Sequence, residues 1–549
     1  MAIQNPVAIG ASTSKLNRQE LYVLEDKCAM ATTGMGSLAR VAGIVAIATA
    51  LSKVLGLVRQ LLIAASFGSG TDYSAFGVAY ILPGFIFILL GGINGPFHSA
   101  MVSVLKKRQG ADVAPIVETV STLVGLVLAV LTLGLMVSAD GLVQLLSPGS
   151  SPELLQLAAT QLRIMAPLAY LSGAIGMGFG TLNAAEHYLL PALSPLISSL
   201  SVIFAILFFK DAGGIYVLAW GTVVGGMLQW LAQIPLQMKL GLGRFRWRLQ
   251  WSRPEVRTVV GIMIPAVLSS GAVYINVNTD LVFASFLPGD RAIGNLAYAQ
   301  LLYLTPLGIL SNVILVPLMP LYSRLAIPSH WAEFRLRIRQ GLLVATILIL
   351  PAAMLIGVLA RPIVQVVYER GKFTPEITLE VSALLSAYAI GMVFYLSRDI
   401  LVRVFYALED SRTPLLVSTC AIVFNAAFDY IGIQLIGAPG LPLSTAGVNI
   451  VAALALGTIL QRRLGGLPWN RLLWDIGRLA GVTAIAGGLT FAAWSSSGTW
   501  LSAPGPLAIV VRASVAGTIG LLVYAFGALL LDIDEVEQLR RKGRGMFNG

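Results

Sequence analysis

Asparagine and aspartate side chains occur inside runs of residues that are otherwise apolar enough to lie in lipid. In the run FNAAFDYIG, Asn425 and Asp429 are four residues apart, so they share one face of a helix. A carboxylate at the centre of a membrane-spanning helix costs about 2.5–3.5 kcal/mol on insertion scales, and such groups usually face a bundle interior or a wet cavity. We therefore expect a compensating partner for Asp429 in a neighbouring helix.

An oxygen-rich set of ligands for a cation can be assembled around Asp429. Asp280 occupies a matching depth in another apolar run, and the run GLPLSTAGVN offers the backbone carbonyl of Leu441 and the hydroxyl of Thr445. Together with the amide of Asn425, these groups suit a hard cation such as Na⁺. The alternatives are a protonated aspartate that is hydrogen-bonded to asparagine and a proton-coupling site.

Basic side chains also lie deep inside apolar runs. They are Lys53, Arg59, Arg163, Arg398 and Arg403. Arg59 lies near the end of its run and could instead extend to the interface, as long basic side chains do. Arg398 precedes Asp399, and the two could neutralise each other or a neighbouring helix. The charged residues 409–412 belong to a turn, where we expect them to form a solvated helix cap.

The elements that position these residues are membrane-spanning helices. The chain has 549 residues, of which 56% are hydrophobic and 11% charged, whereas soluble domains carry about 25% charged residues. About fourteen apolar runs are long enough to cross a bilayer as a helix. They begin near residues 42, 74, 116, 154, 188, 213, 258, 294, 339, 378, 413, 440, 474 and 506. The sequence thus predicts an all-α polytopic membrane protein.

The distribution of basic residues predicts the orientation in the membrane. With a cytoplasmic N-terminus, about 25 Lys and Arg residues fall in the inner segments and about five in the outer ones, as the positive-inside rule requires. Both termini are therefore predicted to be cytoplasmic. The net charge of +11 lies in short loops and tails, so it reflects topology and does not indicate a nucleic-acid partner.

The chain contains an internal repeat. AASFGSGTDYSAFGVAY (64–80) resembles FASFLPGDRAIGNLAY (283–298), and NAAEHYLLP (183–191) resembles YALEDSRTP (406–414). Both matches have nearly the same offset, which corresponds to six helices and so preserves orientation in the membrane. We predict two pseudo-symmetric lobes of six helices around a central cavity, which rock against each other, and two further C-terminal helices.

Residues for other kinds of chemistry form no recognisable motif. The sequence has no GxxxxGK[ST] loop for ATP, and His98, His187 and His330 have no zinc-binding spacing. Cys28 and Cys420 are its two cysteines and form no metal motif. No nucleophile is paired with a base. We therefore expect a transporter that is not an enzyme and has no cofactor beyond a coupling ion.

Five segments of the chain form a recognisable set: SKVLGLVRQLLIAASFGSG, ERGKFT, AYAIGM, FYALEDSRTP and GLPLSTAGVN. They resemble the MurJ/MviN family of lipid II flippases, in the multidrug/oligosaccharidyl-lipid/polysaccharide exporter superfamily. The resemblance implies fourteen helices in two lobes around a cationic cavity in the bacterial plasma membrane. It implies movement of lipid II, the undecaprenyl-pyrophosphate-linked peptidoglycan precursor, from the inner to the outer leaflet for cell-wall biogenesis and cell shape. The last two helices would form a groove for the lipid tail.

The resemblance also implies roles for individual residues. Lys53 and Arg59 match the basic positions of the family's S-R-x-L-G-x-x-R motif and would meet the diphosphate. Asn94 stands where the family usually has an acidic residue. Apart from the family's motif, further cations of this chain that could help to hold the diphosphate are Arg163, Arg398 and Arg403. Some members bind Na⁺ at positions that match Asp280, Asn425, Asp429, Leu441 and Thr445.

The chain departs from the family pattern in the predicted cavity. It reads LPGFIFILLGGING where the family usually has an arginine pair, and Gln300-Leu301 where it usually has Asp-Arg. Arginines hold a pyrophosphate through charge-assisted bonds, and the predicted cavity has fewer of them than the family pattern. The expected substrate is therefore either lipid II or another lipid-linked oligosaccharide. Two further hypotheses are a cation-coupled multidrug exporter of the same superfamily and a scaffold that recruits cell-wall synthesis proteins.

The predicted organisation has five parts. They are a disordered cytoplasmic extension (1–38), an N-lobe (39–245), a C-lobe (246–466), helices 13 and 14 (467–535) and a basic cytoplasmic tail (536–549). An over-long reading frame with a true start at Met30 or Met35 is the alternative for the extension. Expected partners are the lipid-linked glycan and membrane lipids, with Na⁺ or the membrane potential as the driving force.

Overall fold

The computed structural model describes residues 47–91, 96–106, 113–242, 246–500 and 505–537. Predictions for the N-terminal extension, Asn94 and the C-terminal tail beyond residue 537 lie outside the described residues. The helices of the first half are α1 (Ile47–Phe67), α2 (Thr71–Gly91), α3 (Pro96–Leu105), α4 (Val113–Val137), α5 (Ala139–Leu146), α6 (Pro152–Met165), α7 (Pro167–Ala184), α8 (Leu189–Gly213), α9 (Tyr216–Leu231) and α10 (Ile234–Lys239).

The second half continues in the same all-helical manner. Its helices are α11 (Pro254–Ala284), α12 (Arg291–Leu325), α13 (Trp331–Val358), α14 (Ala360–Tyr368), α15 (Pro375–Ala407), α16 (Arg412–Ile436), α17 (Gly440–Leu464), α18 (Trp469–Trp500) and α19 (Pro506–Leu530). A short 3-10 helix, Pro328–His330, precedes α13. The residues that the structure describes contain no β-strand.

The predicted number of membrane spans is confirmed. Thirteen helical stretches are long and apolar enough to cross a bilayer, with α6–α7 and α9–α10 each counted as one. The remaining predicted span is α11, a helix of 31 residues, which exceeds the roughly 20 residues that a crossing requires. The protein is therefore an all-α polytopic membrane protein with about fourteen spans.

The internal repeat is visible in the lengths of helices and in their turns. Helices α8 and α16 both have 25 residues, and each is followed by a glycine with positive φ, Gly214 (54°) and Gly437 (69°). Glu186 and Glu409, which are matched in the sequence repeat, have φ values of 61° and 60°. A left-handed residue other than glycine is uncommon, so its recurrence at matched positions supports the repeat.

The halves also pack alike. In the first half α2 packs against α6 and α7, and α8 packs against α9; in the second half α12 packs against α15, and α16 packs against α17. Helix α11 contacts α16 in its own half and α3 in the other. A movement of α11 would therefore change contacts in both halves.

The turn before α16 is a helix cap, as predicted. Asp410 accepts hydrogen bonds from the backbone amides of Arg412 (3.1 Å) and Thr413 (3.0 Å) and pairs with Arg463 at 2.7 Å. The amide of Thr413, the largest cause, and the nearby Arg463 lower the pKa of Asp410 below its ordinary value. This turn marks one end of the helix bundle, which we call the Asp410 end.

A buried ionic network attaches the last two helices to α13. Arg339 on α13 pairs with Asp475 on α18 at 2.5 Å and with Glu535, beyond α19, at 2.8 Å. All three side chains are buried. The span predicted to begin near residue 339 instead begins at Trp331, so Arg339 lies inside α13.

Replacing Arg339 by alanine is expected to lower the free energy of unfolding by about 3–5 kcal/mol, because two buried carboxylates then lose their cation. Thermal unfolding of the detergent-purified protein measures the loss. The matched control is Arg337→Ala, whose half-exposed side chain pairs with exposed Glu333 and should cost less than about 1 kcal/mol. Equal losses in the two variants would contradict a structural role for the network.

Candidate functional site

Helix α16 buries one narrow face, and its polar residues lie on that face. The residues it buries include Ala421, Asn425 and Asp429, each four positions from the next. Flanking residues such as Val423 and Tyr430 are exposed. The spacing of four therefore turns the amide and the carboxylate together toward α11 and α17.

Four of the residues predicted to bind a cation form one hydrogen-bonded group, which we call the aspartate cluster: Asp280, Asn425, Asp429 and Thr445. The amide nitrogen of Asn425 donates to Asp280 Oδ1 (2.9 Å) and to Asp429 Oδ2 (3.2 Å). Thr445 Oγ1 donates to Asp280 Oδ2 at 2.8 Å. Asp429 Oδ1 is buried and has no hydrogen-bond partner among the described residues.

Leu441 lies close to this cluster in the helical register. It is fully buried and lies one turn before Thr445, so the two residues share a face of α17. That the backbone carbonyl of Leu441 binds the cation remains a prediction.

Two tyrosines that the sequence analysis did not single out stack beside the cluster. The rings of Tyr303 and Tyr388 are 4.7 Å apart and nearly parallel. Gln300 donates to the hydroxyl of Tyr388 at 3.1 Å. Asp280 lies within electrostatic range of both rings. The motif AYAIGM, which contains Tyr388, is the sequence feature that could have indicated this tyrosine as a site residue.

The chemistry of the cluster fits a hard cation. Two carboxylates, an amide and a hydroxyl supply oxygen donors, which Na⁺ prefers, and Asp429 Oδ1 is a buried acceptor with no hydrogen-bond partner among the described residues. Two carboxylates taken out of water cost several kcal/mol each unless a cation or a proton compensates them. Asn425 would bind a cation through its oxygen, which requires a half-turn of the amide away from the orientation in which its nitrogen donates to both carboxylates.

The internal repeat provides a comparison within the same chain. Val202 and Ile206 on α8 stand at the same distances from the helix start as Asn425 and Asp429 on α16. Both N-lobe residues are buried and apolar. Packing of this helix pair therefore does not require polar side chains at these positions, which favours a functional role for Asn425 and Asp429.

A chain of hydrogen bonds joins the cluster to one of the predicted substrate-binding arginines. Arg398 Nη1 donates to Asn449 Oδ1 at 3.1 Å, and Asn449 Nδ2 donates to the carbonyl of Thr445 at 2.8 Å. The guanidinium group of Arg398 also lies 5.3 Å from the ring centre of Tyr395, within the range of a cation–π contact. A change at Asp280 can thus reach Arg398 through two intermediate residues.

The remaining predicted substrate-binding residues lie in different surroundings. Arg59 on α1 interacts with Tyr73 and Tyr80 of α2, and its Nε is buried without a hydrogen-bond partner among the described residues. Lys53 is exposed and lies off the buried face of α1. Arg403 lies 3.9 Å from Asp399, which is one turn before it on α15.

Arg163 lies apart from these residues. It pairs with Asp140 of α5, and both side chains are exposed. Its predicted contribution to substrate binding remains a prediction. The sequence could not show this pairing, because α5 reads as a continuation of the span that precedes it.

The two lobes contact each other at the end opposite Asp410, which we call the Gly68 end. Tyr298 donates to the carbonyl of Gly68 at 2.8 Å, and its ring stacks on Tyr73 with centres 4.6 Å apart. The amide of Lys372 donates to the carbonyl of Ala65 at 2.9 Å. Gly371 has a φ of 59°, and a Cβ there would lie 2.2 Å from the Ala65 oxygen, so only glycine allows this approach.

Asp290 strengthens the same contact. It lies just before α12 and accepts hydrogen bonds from Thr71 Oγ1 (3.2 Å), the Ser151 amide (3.2 Å) and Ser151 Oγ (2.5 Å). One carboxylate of the second lobe therefore binds the starts of two helices of the first, where the helix dipole favours a negative charge.

The sequence of the chain matches that of one known family over most of its length. A family model described as Lipid II flippase MurJ matches residues 63–508. The chain belongs to the MurJ family. A protein of Synechocystis sp. named probable lipid II flippase MurJ is 48% identical over 92% of this chain and 96% of its own length. A protein of Burkholderia cenocepacia named lipid II flippase MurJ is 30% identical over 80% of this chain and 87% of its own length.

Solved structures share the MurJ-family fold. One described as lipid II flippase MurJ in an inward closed conformation has a TM-score of 0.72 at 23% identity and covers 89% of this chain and 98% of its own. An inward-facing multidrug transporter of the MATE family has a TM-score of 0.61 at 14% identity and covers 75% and 94%. The predicted family and fold class are both confirmed.

Proposed function

We propose that this protein moves lipid II from the inner to the outer leaflet of the bacterial plasma membrane by alternating access. The observation that carries the proposal is the identity of 48%, over 92% of the chain, with a protein named probable lipid II flippase MurJ. The fold is compatible with alternating access, because two similar lobes joined at one end can rock about a central site. This activity is transport and involves no chemical conversion of the substrate.

The distribution of basic residues supports one orientation in the membrane. By the positive-inside rule, the Asp410 end would lie in the cytoplasm and the Gly68 end outside. The contacts at Gly68, Lys372 and Asp290 then close the outer end. In this arrangement the protein faces inward, and the diphosphate of the substrate enters from the cytoplasmic leaflet toward Arg59, which lies next to the aromatic rings of α2.

The aspartate cluster couples this movement to a cation. Asp280, Asn425, Asp429 and Thr445 would hold Na⁺, with the carbonyl of Leu441, and the ion would supply the positive charge that two buried carboxylates require. A ligand shifts the lobes only if it binds one arrangement more tightly than the other. Asp280 lies on α11, which contacts both lobes, so the charge state of the cluster acts on the element between them. The inside-negative potential adds about 2.3 kcal/mol per charge per 100 mV.

Rescue of cells depleted of their own lipid II flippase tests the proposed substrate. The parent protein should restore growth and cell shape, and Asp429→Ala at equal expression should not. Arg337→Ala, a change at a half-exposed residue of the Asp410 end, is the control and should rescue fully. A parent protein that reaches the membrane and fails to rescue would instead favour another lipid-linked oligosaccharide.

Asp290→Ala should open the outer end more often. Loss of its hydrogen bonds removes at least about 1.4 kcal/mol from the closed arrangement, which corresponds to about a tenfold shift in the equilibrium. Ser69 is buried beside the Gly68 turn, so a Ser69→Cys probe in a background without the native cysteines reports opening through its rate of maleimide labelling. Glu333→Ala is the control, and the same labelling rate in all three proteins would contradict the role of Asp290.

A further inference from the structure

A cavity of about 200 Å³ lies in the first lobe, away from the aspartate cluster and from the contact between the lobes. Helices α4 and α7 form its walls, and Trp230, Gln237 and the segment before α11 form one end. Neighbouring residues of α4, among them Val127 and Val130, are exposed and apolar. The cavity therefore opens on the surface that faces lipid.

The depth of the cavity matches one leaflet of a bilayer. Its lining on α4 runs from Val117 to Ala129, a rise of about 18 Å at 1.5 Å per residue, and half of a hydrocarbon core measures about 15 Å. Polar groups lie at the cytoplasmic end of the lining, among them Glu118, Thr122 and Arg246. Towards the bilayer centre the lining consists mainly of small and apolar residues, with Tyr170 beside Gly125.

The segment at the cytoplasmic end is basic and is fixed in place. The amide of Arg248 donates to Thr122 Oγ1 at 3.2 Å, and its side chain pairs with Glu118 at 3.5 Å. Arg246 lines the cavity and makes no ion pair with a described residue. Among the described residues at the mouth of the cavity, Glu118 is paired with Arg248, and the positive charge of Arg246 has no ion-pair partner.

Two further features suit the headgroup region of a membrane. Trp247, beside Arg246, is 82% exposed, and Trp251 is 50% exposed; tryptophan is enriched at membrane–water interfaces. Gln233 is fully buried, and its Oε1 has no hydrogen-bond partner among the described residues. That oxygen lies 1.8 Å from where a Cβ of Gly178, a lining residue, would stand, so any larger residue at position 178 would displace it.

We propose that this cavity binds one anionic glycerophospholipid of the cytoplasmic leaflet, with an acyl chain between α4 and α7 and the phosphate group beside Arg246. Anionic lipids of that leaflet attract basic residues near the surface, and the apolar wall of leaflet depth accepts the chain. The proposal concerns a lipid that stays bound at the side of the first lobe. It does not depend on the identity of the transported substrate.

Native mass spectrometry of the full chain, released from nanodiscs of phosphatidylcholine and phosphatidylglycerol, tests the proposal. The parent should retain one phosphatidylglycerol in preference to phosphatidylcholine. Arg246→Gln should weaken that retention about fivefold. One basic residue near the surface contributes about 1 kcal/mol to lipid binding, which corresponds to about a fivefold change in affinity. Ala174→Leu, which adds a larger side chain inside the cavity, should remove the bound lipid.

Arg253→Gln is the matched control, because Arg253 belongs to the same segment and bonds to Gln250 without lining the cavity. It should retain the lipid as the parent does. Equal retention of the two phospholipids by the parent would overturn the proposal, as would a polyprenyl pyrophosphate in the same place. If Ala174→Leu does not fold, the comparison of Arg246→Gln with Arg253→Gln decides the result.

Discussion

Replacing Asn425 by valine and Asp429 by isoleucine is expected to give a folded protein whose stability no longer depends on Na⁺. These are the residues that α8 carries at the equivalent positions, Val202 and Ile206. Replacement of buried charged groups by apolar groups of similar volume is often neutral or stabilising. The carboxylate that remains, Asp280, loses the hydrogen bond from Asn425 and keeps the one from Thr445 Oγ1 at 2.8 Å. The parent, in contrast, should gain about 2.7 kcal/mol when Na⁺ reaches a hundred times its dissociation constant.

Thermal unfolding in NaCl and in choline chloride measures this difference. Val423→Ala, a change on the exposed face of α16, should keep the Na⁺-dependent shift of the parent. If the double variant does not fold, Asp429→Asn retains the shape of the side chain and should lose the shift as well. A shift in the double variant equal to that of the parent would place the ion elsewhere.

The second large effect is expected at Arg59. Its Nε is buried without a hydrogen-bond partner among the described residues, and its charge lies within electrostatic range of Tyr73 and Tyr80. A hydrogen bond to a charged group contributes about 1.5–3 kcal/mol, so Arg59→Ala should slow lipid II transport by about tenfold to a hundredfold. Arg59→Lys should recover part of the rate, because lysine keeps the charge and lacks the bidentate geometry.

Transport in proteoliposomes and rescue of depleted cells both measure the effect of Arg59. The control is Gln60→Leu, which removes the neighbouring hydrogen bond to Tyr73 and leaves the charge. Arg59→Ala transport within about twofold of the parent rate would exclude a direct role in diphosphate binding, since the loss would then be below about 0.5 kcal/mol.

Much of the fold could be predicted because a bilayer imposes strong constraints on a sequence. Each helix must be long and apolar enough to span it, and a buried carboxylate such as Asp429 requires a partner. The spacing between Asn425 and Asp429 placed both on one face, and the depth of Asp280 pointed to its proximity. The repeat was visible in the sequence because the turns at Glu186 and Glu409 have the same geometry.

The contacts of several residues could not be predicted because they depend on how distant helices pack. Arg339 stands at the predicted start of a span, and only the packing of α18 and of the segment after α19 against α13 shows that it is buried with two carboxylates. Asp290 occupies an ordinary polar turn, and its three acceptor contacts arise from the meeting of the lobes. The pairing of Arg398 with Asn449 likewise joins residues 51 positions apart on different helices.

The most direct test of the account is the movement of labelled lipid II across the membrane of proteoliposomes that contain only this protein. We expect labelled lipid II to cross in vesicles with the parent protein, faster under an imposed Na⁺ gradient, and the Asn425→Val, Asp429→Ile variant to lose the dependence on the gradient. Lipid II that crosses no faster with the correctly oriented parent than in protein-free vesicles would contradict the account.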